Sequence, residues 1–112
     1  MNSFDPMAAA IDWLDAYRSA SLSIVDMYHP DAALHCGCNG QTTLTGQQAT
    51  LEYWRRRFLE KPAGDLNELS ADNDQIVLSY SVPGGEVQAV LKFAANGQIL
   101  RSECAPLSSA MI

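Results

Sequence analysis

Tyr28-His29-Pro30-Asp31-Ala32-Ala33-Leu34-His35-Cys36-Gly37-Cys38 is the stretch on which the fold turns. Upstream of it, apolar residues recur at helical spacing; most of the chain downstream alternates with period two. Pro30 closes a helical segment, because the residue before a proline avoids the α region. A strand is expected from Ala32 to Cys38. Asn39-Gly40 is the preferred pair for a two-residue hairpin, so the chain returns through Gln41 to Leu44.

Toward the N-terminus, Asp5-Pro6 reads as an N-cap followed by a first-turn proline. Ile11, Leu14 and Arg18 fall on one helical row, and Ala10, Trp13 and Tyr17 on the next, so one face of a first helix is buried. Ser19-Ala20-Ser21 breaks it, and a short second helix covers Leu22 to Tyr28. Toward the C-terminus, Thr45-Gly46-Gln47-Gln48 has the form of a capping box opening a third helix. Leu51, Trp54 and Phe58 share a face of that helix, and Pro62-Ala63-Gly64 ends it. Ile76, Leu78, Tyr80 and Val82 then point one way along a strand, as do Val87, Ala89, Leu91 and Phe93 along the next. Asp72-Asn73, Pro83-Gly84-Gly85 and Asn96-Gly97 are turn signals. Sequential strands joined by such turns form an antiparallel meander. Helices early and strands late, with no βαβ alternation, make the chain α+β.

At 112 residues the chain is expected to be a single domain spanning 1–112. Its net charge of −6 repels phosphate backbones and anionic lipid, so neither nucleic acid nor a membrane is an expected partner. Arg55-Arg56-Arg57 is the one basic cluster. Three consecutive helical residues diverge, so it reads as a solvated face. No apolar run approaches the roughly 18–20 residues that span a bilayer. The first six residues lack the basic region and apolar core of a secretion signal. Three cysteines, an odd number, fit reduced thiols, so a cytoplasmic location is expected. A Gly-rich phosphate loop, a Gly-x-Ser-x-Gly elbow, a His-Glu-x-x-His pair and an EF-hand pattern are all absent, and no cofactor or metal is expected.

The order of elements, with Tyr28-His29-Pro30-Asp31-Ala32 and Gly46-Gln47-Gln48-Ala49-Thr50-Leu51-Glu52-Tyr53-Trp54, resembles the NTF2-like family over about residues 7–106. The resemblance implies a cystatin-like cone: three N-terminal helices packed in a strongly curved antiparallel or mixed sheet around an apolar pocket. That family includes ketosteroid isomerases, SnoaL-like polyketide cyclases, limonene epoxide hydrolases, scytalone dehydratases and non-catalytic binders, and its members commonly pair sheet to sheet. It implies a homodimer and a small apolar organic ligand. The chemistry implied is cofactor-free acid–base work of the isomerase, cyclase or dehydratase kind. The alternative is a non-catalytic small-molecule binder or dimeric assembly module.

Ketosteroid isomerase uses an aspartate base, with a tyrosine and a protonated aspartic acid holding the oxyanion. Carried over by this resemblance, the base position is Cys36, the acid position is Ala89, and the tyrosine falls near Trp13, with Tyr17 one turn later. Base and acid are both missing, which argues against steroid isomerisation of that type. His35 is then a candidate base, since imidazole titrates near neutrality. Strict alternation sends His35 and Cys36 to opposite faces unless Gly37 marks a bulge. Asp26, between Val25 and Met27, is the third catalytic candidate. Glu103 shares a face with Arg101, two residues away, and reads as half of an ion pair. Cys36, Cys38 and Cys104 read as small buried hydrophobes in preference to zinc ligands, whose paired cysteines usually lie further apart. The ligand-contact candidates are Trp13, Tyr17, Tyr53, Trp54, Phe58, Tyr80, Ala89 and Phe93, lining a greasy pocket with few ionisable groups.

Overall fold

The computed structural model describes residues 5–37 and 42–106. Helix α1 (Pro6–Arg18) is followed by a 3-10 helix (Leu22–Met27), strands β1 (Tyr28–Cys36) and β2 (Thr42–Thr45), and helix α2 (Gln47–Glu60). Strands β3 (Leu66–Asp72), β4 (Gln75–Val82), β5 (Gly85–Phe93) and β6 (Ile99–Pro106) complete the chain. The Asp5 carboxylate caps α1, accepting from the amides of Met7 at 3.0 Å and Ala8 at 3.3 Å. Ala10, Trp13, Leu14 and Tyr17 form the buried stripe of α1; Ile11 and Arg18 lie outside it.

Several expected boundaries move. The second helix is 3-10 in geometry, and α2 comes only after the first two strands, so a single α-helix and a 3-10 helix stand at the N-terminal end. Strand β1 begins at Tyr28 instead of Ala32, because Tyr28 pairs with Ile99 in β6. The ladder then shifts register and resumes at Ala33 opposite Arg101. Pro30 lies inside that irregularity, where its missing N–H costs no ladder bond. The capping box does not form: Gly46 is the N-cap of α2, and no side-chain cap hydrogen bond is made there. Gly46 adopts φ 92° and ψ 157°, a region essentially reserved for glycine. The Asn39-Gly40 turn and Cys38 lie outside the described residues.

The six strands form one mixed sheet in the order β2-β1-β6-β5-β4-β3. All neighbours are antiparallel except β1 and β6. The Pro83-Gly84 turn between β4 and β5 has Gly84 at φ 88°, as a type II turn requires. Leu34, Leu78, Tyr80, Val87, Ala89 and Leu91 are all buried. The two α-helices pack onto this inner face through aromatic rings. Trp13 meets Trp54 with centroids 5.7 Å apart, and Tyr17 meets Trp54 at 4.8 Å and Tyr80 at 5.4 Å, all edge to face. No helix among the described residues is long and apolar enough to cross a membrane.

Candidate functional site

Two buried hydrogen-bonded groups interrupt this aromatic core. In the first, the Trp13 Nε1–H donates to the Tyr28 hydroxyl at 3.3 Å, and that hydroxyl lies 2.9 Å from Ser102 Oγ. Burial pushes the Tyr28 phenol up to about 12, against the opposing hydrogen bonds from Ser102 and Trp13. The group is neutral at any ordinary pH.

The second group is charged. In α2 the buried positions are Thr50, Trp54 and Arg57, spaced i, i+4, i+7. Arg57 is only 5 % exposed, while Arg55 and Arg56 are exposed. The basic triplet is therefore not a uniform solvated face. Arg57 Nε donates to the Tyr17 hydroxyl at 2.7 Å, Nη2 to the Tyr80 hydroxyl at 3.5 Å, and Nη1 to Cys36 Sγ at 3.8 Å. Its Cζ stands 5.7 Å from the Tyr17 ring centre and 5.9 Å from that of Tyr53, within cation–π range. The Tyr17 hydroxyl in turn donates to the Lys61 carbonyl at the end of α2.

Burial works against the Arg57 charge, but Tyr53, Tyr80, Tyr17 and Cys104 outweigh it and hold the guanidinium above its ordinary value. Arg57 stays protonated. Burial raises the phenols of Tyr17 and Tyr53, and raises Tyr80 well above its ordinary range, in each case against the pull of Arg57. The tyrosines are therefore neutral O–H groups around a permanent cation. Cys36 and Cys104 face each other across the parallel β1–β6 pair, with sulfurs 3.4 Å apart. The Tyr53 hydroxyl lies 3.5 Å from Cys36 Sγ and 3.7 Å from Cys104 Sγ.

Cys36, Tyr53 and Arg57 of this cluster form part of the wall of a cavity of about 310 Å³ between α2 and the β1–β2 pair. The lining comes from Cys36, Thr42 and Leu44 on the strands, Ala49, Glu52, Tyr53, Arg56, Arg57 and Glu60 on α2, and Lys61 at its end. Five of these side chains carry charge, more ionisable groups than the strand pattern suggested. The volume falls in the range of small-molecule sites.

Of the sequence candidates, Cys36 and Tyr53 line this cavity. His35 is on the alternate face of β1, with Nδ1 2.7 Å from Thr43 Oγ1. Its imidazole therefore does not share the cavity wall with Cys36. Asp26 is exposed. Glu103 pairs with Arg101 at 2.6 Å, as its spacing suggested. Trp13, Tyr17, Trp54 and Tyr80 are packed in the core; Trp13, Trp54, Tyr80 and Ala89, with His35 and Tyr53, border a second void of only about 10 Å³. Phe58 and Phe93 are half-buried against that core. Most of the ring candidates thus fill the cone. Among the described residues, no three His, Cys, Asp or Glu side chains converge as a metal site would need. Arg57 is the residue that sequence reasoning missed. Its signal was its place on the row of Thr50 and Trp54, overridden by the expectation that arginine is solvated.

Compared by sequence, the chain matches no family model and no curated protein. Compared by structure, it matches a SnoaL-like protein of unknown function from Burkholderia thailandensis E264 with a TM-score of 0.75 and 16% identity, over 88% of this chain and 92% of that one. The fold is NTF2-like. An uncharacterised cystatin-fold protein from Novosphingobium aromaticivorans superposes with a TM-score of 0.72 and 15% identity, covering 92% of this chain and 99% of its own. SalBIII, an epoxide hydrolase/cyclase-like enzyme described for pyran ring formation in the polyether salinomycin, gives 0.76 and 16% over 93% and 92%. At these identities the NTF2-like likeness concerns the backbone, and the chemistry rests on the residues of the cavity itself.

Proposed function

We propose that this NTF2-like chain binds a small organic molecule in the cavity between α2 and the β1–β2 pair, with the molecule's polar end toward Arg57. The observation that carries this reading is a cavity of about 310 Å³ whose wall includes Arg57, a permanently charged residue only 5 % exposed. Leu44, Ala49 and the Tyr53 ring take the apolar part of the ligand, and Arg57 fixes its orientation.

A second reading, cofactor-free catalysis, has one specific support. Cys36 lines the cavity at the position matched to the isomerase base, beside Tyr53 and Arg57. In that reading Cys36, as the thiolate, accepts a proton to become the thiol, and Arg57 stabilises the oxyanion that forms. SalBIII, with its cyclase-like description, fits that kind of ligand and chemistry. His35 lies on the face of β1 opposite Cys36 and Asp26 is exposed, which favours binding as the leading reading.

The test is native mass spectrometry of the intact chain after incubation with a mixed small-molecule extract, compared with an Ala49→Trp variant that fills the cavity. The expected result is a mass carried by the folded wild type, lost on denaturation and missing from Ala49→Trp. Equal uptake by both proteins, or none by either, would remove the binding reading.

A further inference from the structure

We infer that the ligand is a small organic monocarboxylate and that Arg57 is the group that holds it. This rests on the small-molecule reading above and names its ligand class. A guanidinium carries five N–H donors and no acceptor. Three are used, on Tyr17, Tyr80 and Cys36, and the last two contacts are long at 3.5 and 3.8 Å. One N–H on each of Nη1 and Nη2 is left over. The ion pairs among the described residues are Lys92 with Asp74 and Arg101 with Glu103, so no carboxylate of those residues pairs with Arg57. A buried charge is stable when a counter-charge meets it. Here the bonded neighbours are two phenols and the Cys36 sulfur, and none of them is a carboxylate.

The remaining cavity charges balance: exposed Glu52 and Glu60 against Arg56 and Lys61. Arg57 is the unmatched one, and it calls for a single negative charge. A carboxylate suits it, because two oxygens match the two terminal nitrogens of a guanidinium fork. The cavity is also far larger than a simple inorganic anion, and Leu44, Ala49 and the Tyr53 ring supply walls for an organic body.

The experiment is calorimetric titration of the intact chain with three acid–amide pairs: phenylacetate and phenylacetamide, cinnamate and cinnamamide, hexanoate and hexanamide. Wild type, Arg57→Met, Arg57→Lys, Ala49→Trp and Cys36→Ser are compared. The expected result is that the best acid binds wild type at least about tenfold more tightly than its amide, since a hydrogen bond to a charged group is the stronger kind. That preference disappears in Arg57→Met, and Ala49→Trp abolishes binding. Should Arg57→Met fail to fold, Arg57→Lys keeps the charge but loses the fork, and the preference falls several-fold.

Equal binding of acid and amide, both blocked by Ala49→Trp, would overturn the carboxylate assignment while leaving the small-molecule reading in place. Acid binding that appears only in Cys36→Ser would also overturn it, by showing that a Cys36 thiolate already supplies the counter-charge. Binding of none of the six would overturn it too, and the captured-mass comparison would then decide the broader reading by itself.

Discussion

Two tyrosine networks lie in one core and differ by a single kind of group. Around Tyr28, every member is neutral: an indole N–H, a phenol and a serine hydroxyl bond one another and need nothing from outside. Around Tyr17, the donor is Arg57, a cation that bonds two phenols and the Cys36 sulfur but no carboxylate among the described residues. A neutral polar group can be satisfied inside a protein by one partner of the right shape. A cation needs a counter-charge as well, and this one opens onto a cavity where such a charge can arrive. On the proposal made above, the first network serves stability and the second a ligand.

Truncation should separate the two most strongly. Trp13→Ala removes the indole that donates to Tyr28 and stacks edge-on against Trp54, Tyr17 and Tyr80. It should cost about 3–5 kcal/mol, read as a drop in the urea midpoint. A loss below about 1 kcal/mol would mean that the aromatic core does not hold the fold together as described.

The second prediction concerns alkali. Tyr28 holds its proton up to about pH 12 in the folded chain, against about 10 when unfolded. The unfolded state therefore releases that proton first, and stability falls as pH rises from 10 toward 12. The contribution lost is about 2.7 kcal/mol for this residue. Tyr17, Tyr53 and Tyr80, all raised, act in the same direction. Urea midpoints measured from pH 8 to 11.5 should fall, and the slope should be shallower by one proton in Tyr28→Phe. A flat profile would show that the neutral network does not depend on the phenol proton.

The smallest effect on stability is expected at the charged network. Arg57→Met removes an unmatched charge but keeps much of the volume, so the midpoint should change by no more than about 1 kcal/mol, and a rise is permitted. Tyr17 keeps a partner, because its hydroxyl still donates to the Lys61 carbonyl. A loss as large as that of Trp13→Ala would erase the contrast and make Arg57 a structural residue like Tyr28.

The accessible part of this protein was its local grammar. The Asp5 cap, the Ala10-Trp13-Leu14-Tyr17 stripe, the alternation through β4 and β5, and the Pro83-Gly84 turn all follow from signals spread over a few residues. Signals of that length fix backbone angles and the side that faces inward. The capping box was misread because Thr45-Gly46-Gln47-Gln48 also satisfies a second solution, in which glycine itself takes the strained cap position. The early start of β1 was hidden because its first pairing partner, Ile99, lies at the other end of the chain.

The candidate site follows the same division. Cys36 and Tyr53 were legible, one from its place on the first strand and the other from its ring on a helix beside the core. His35 and Cys36 were expected on opposite faces, and alternation alone separates them. Arg57 was not legible, although its row was. Its burial depends on Tyr17, Tyr80 and Cys36 reaching it from α1, β4 and β1, positions 40, 23 and 21 residues away. By itself the sequence determined which residues could turn inward, because periodicity is a property of the backbone. Only the tertiary structure decided that an arginine would be one of them, because the free energy of burying a charge is set by the groups that fold around it.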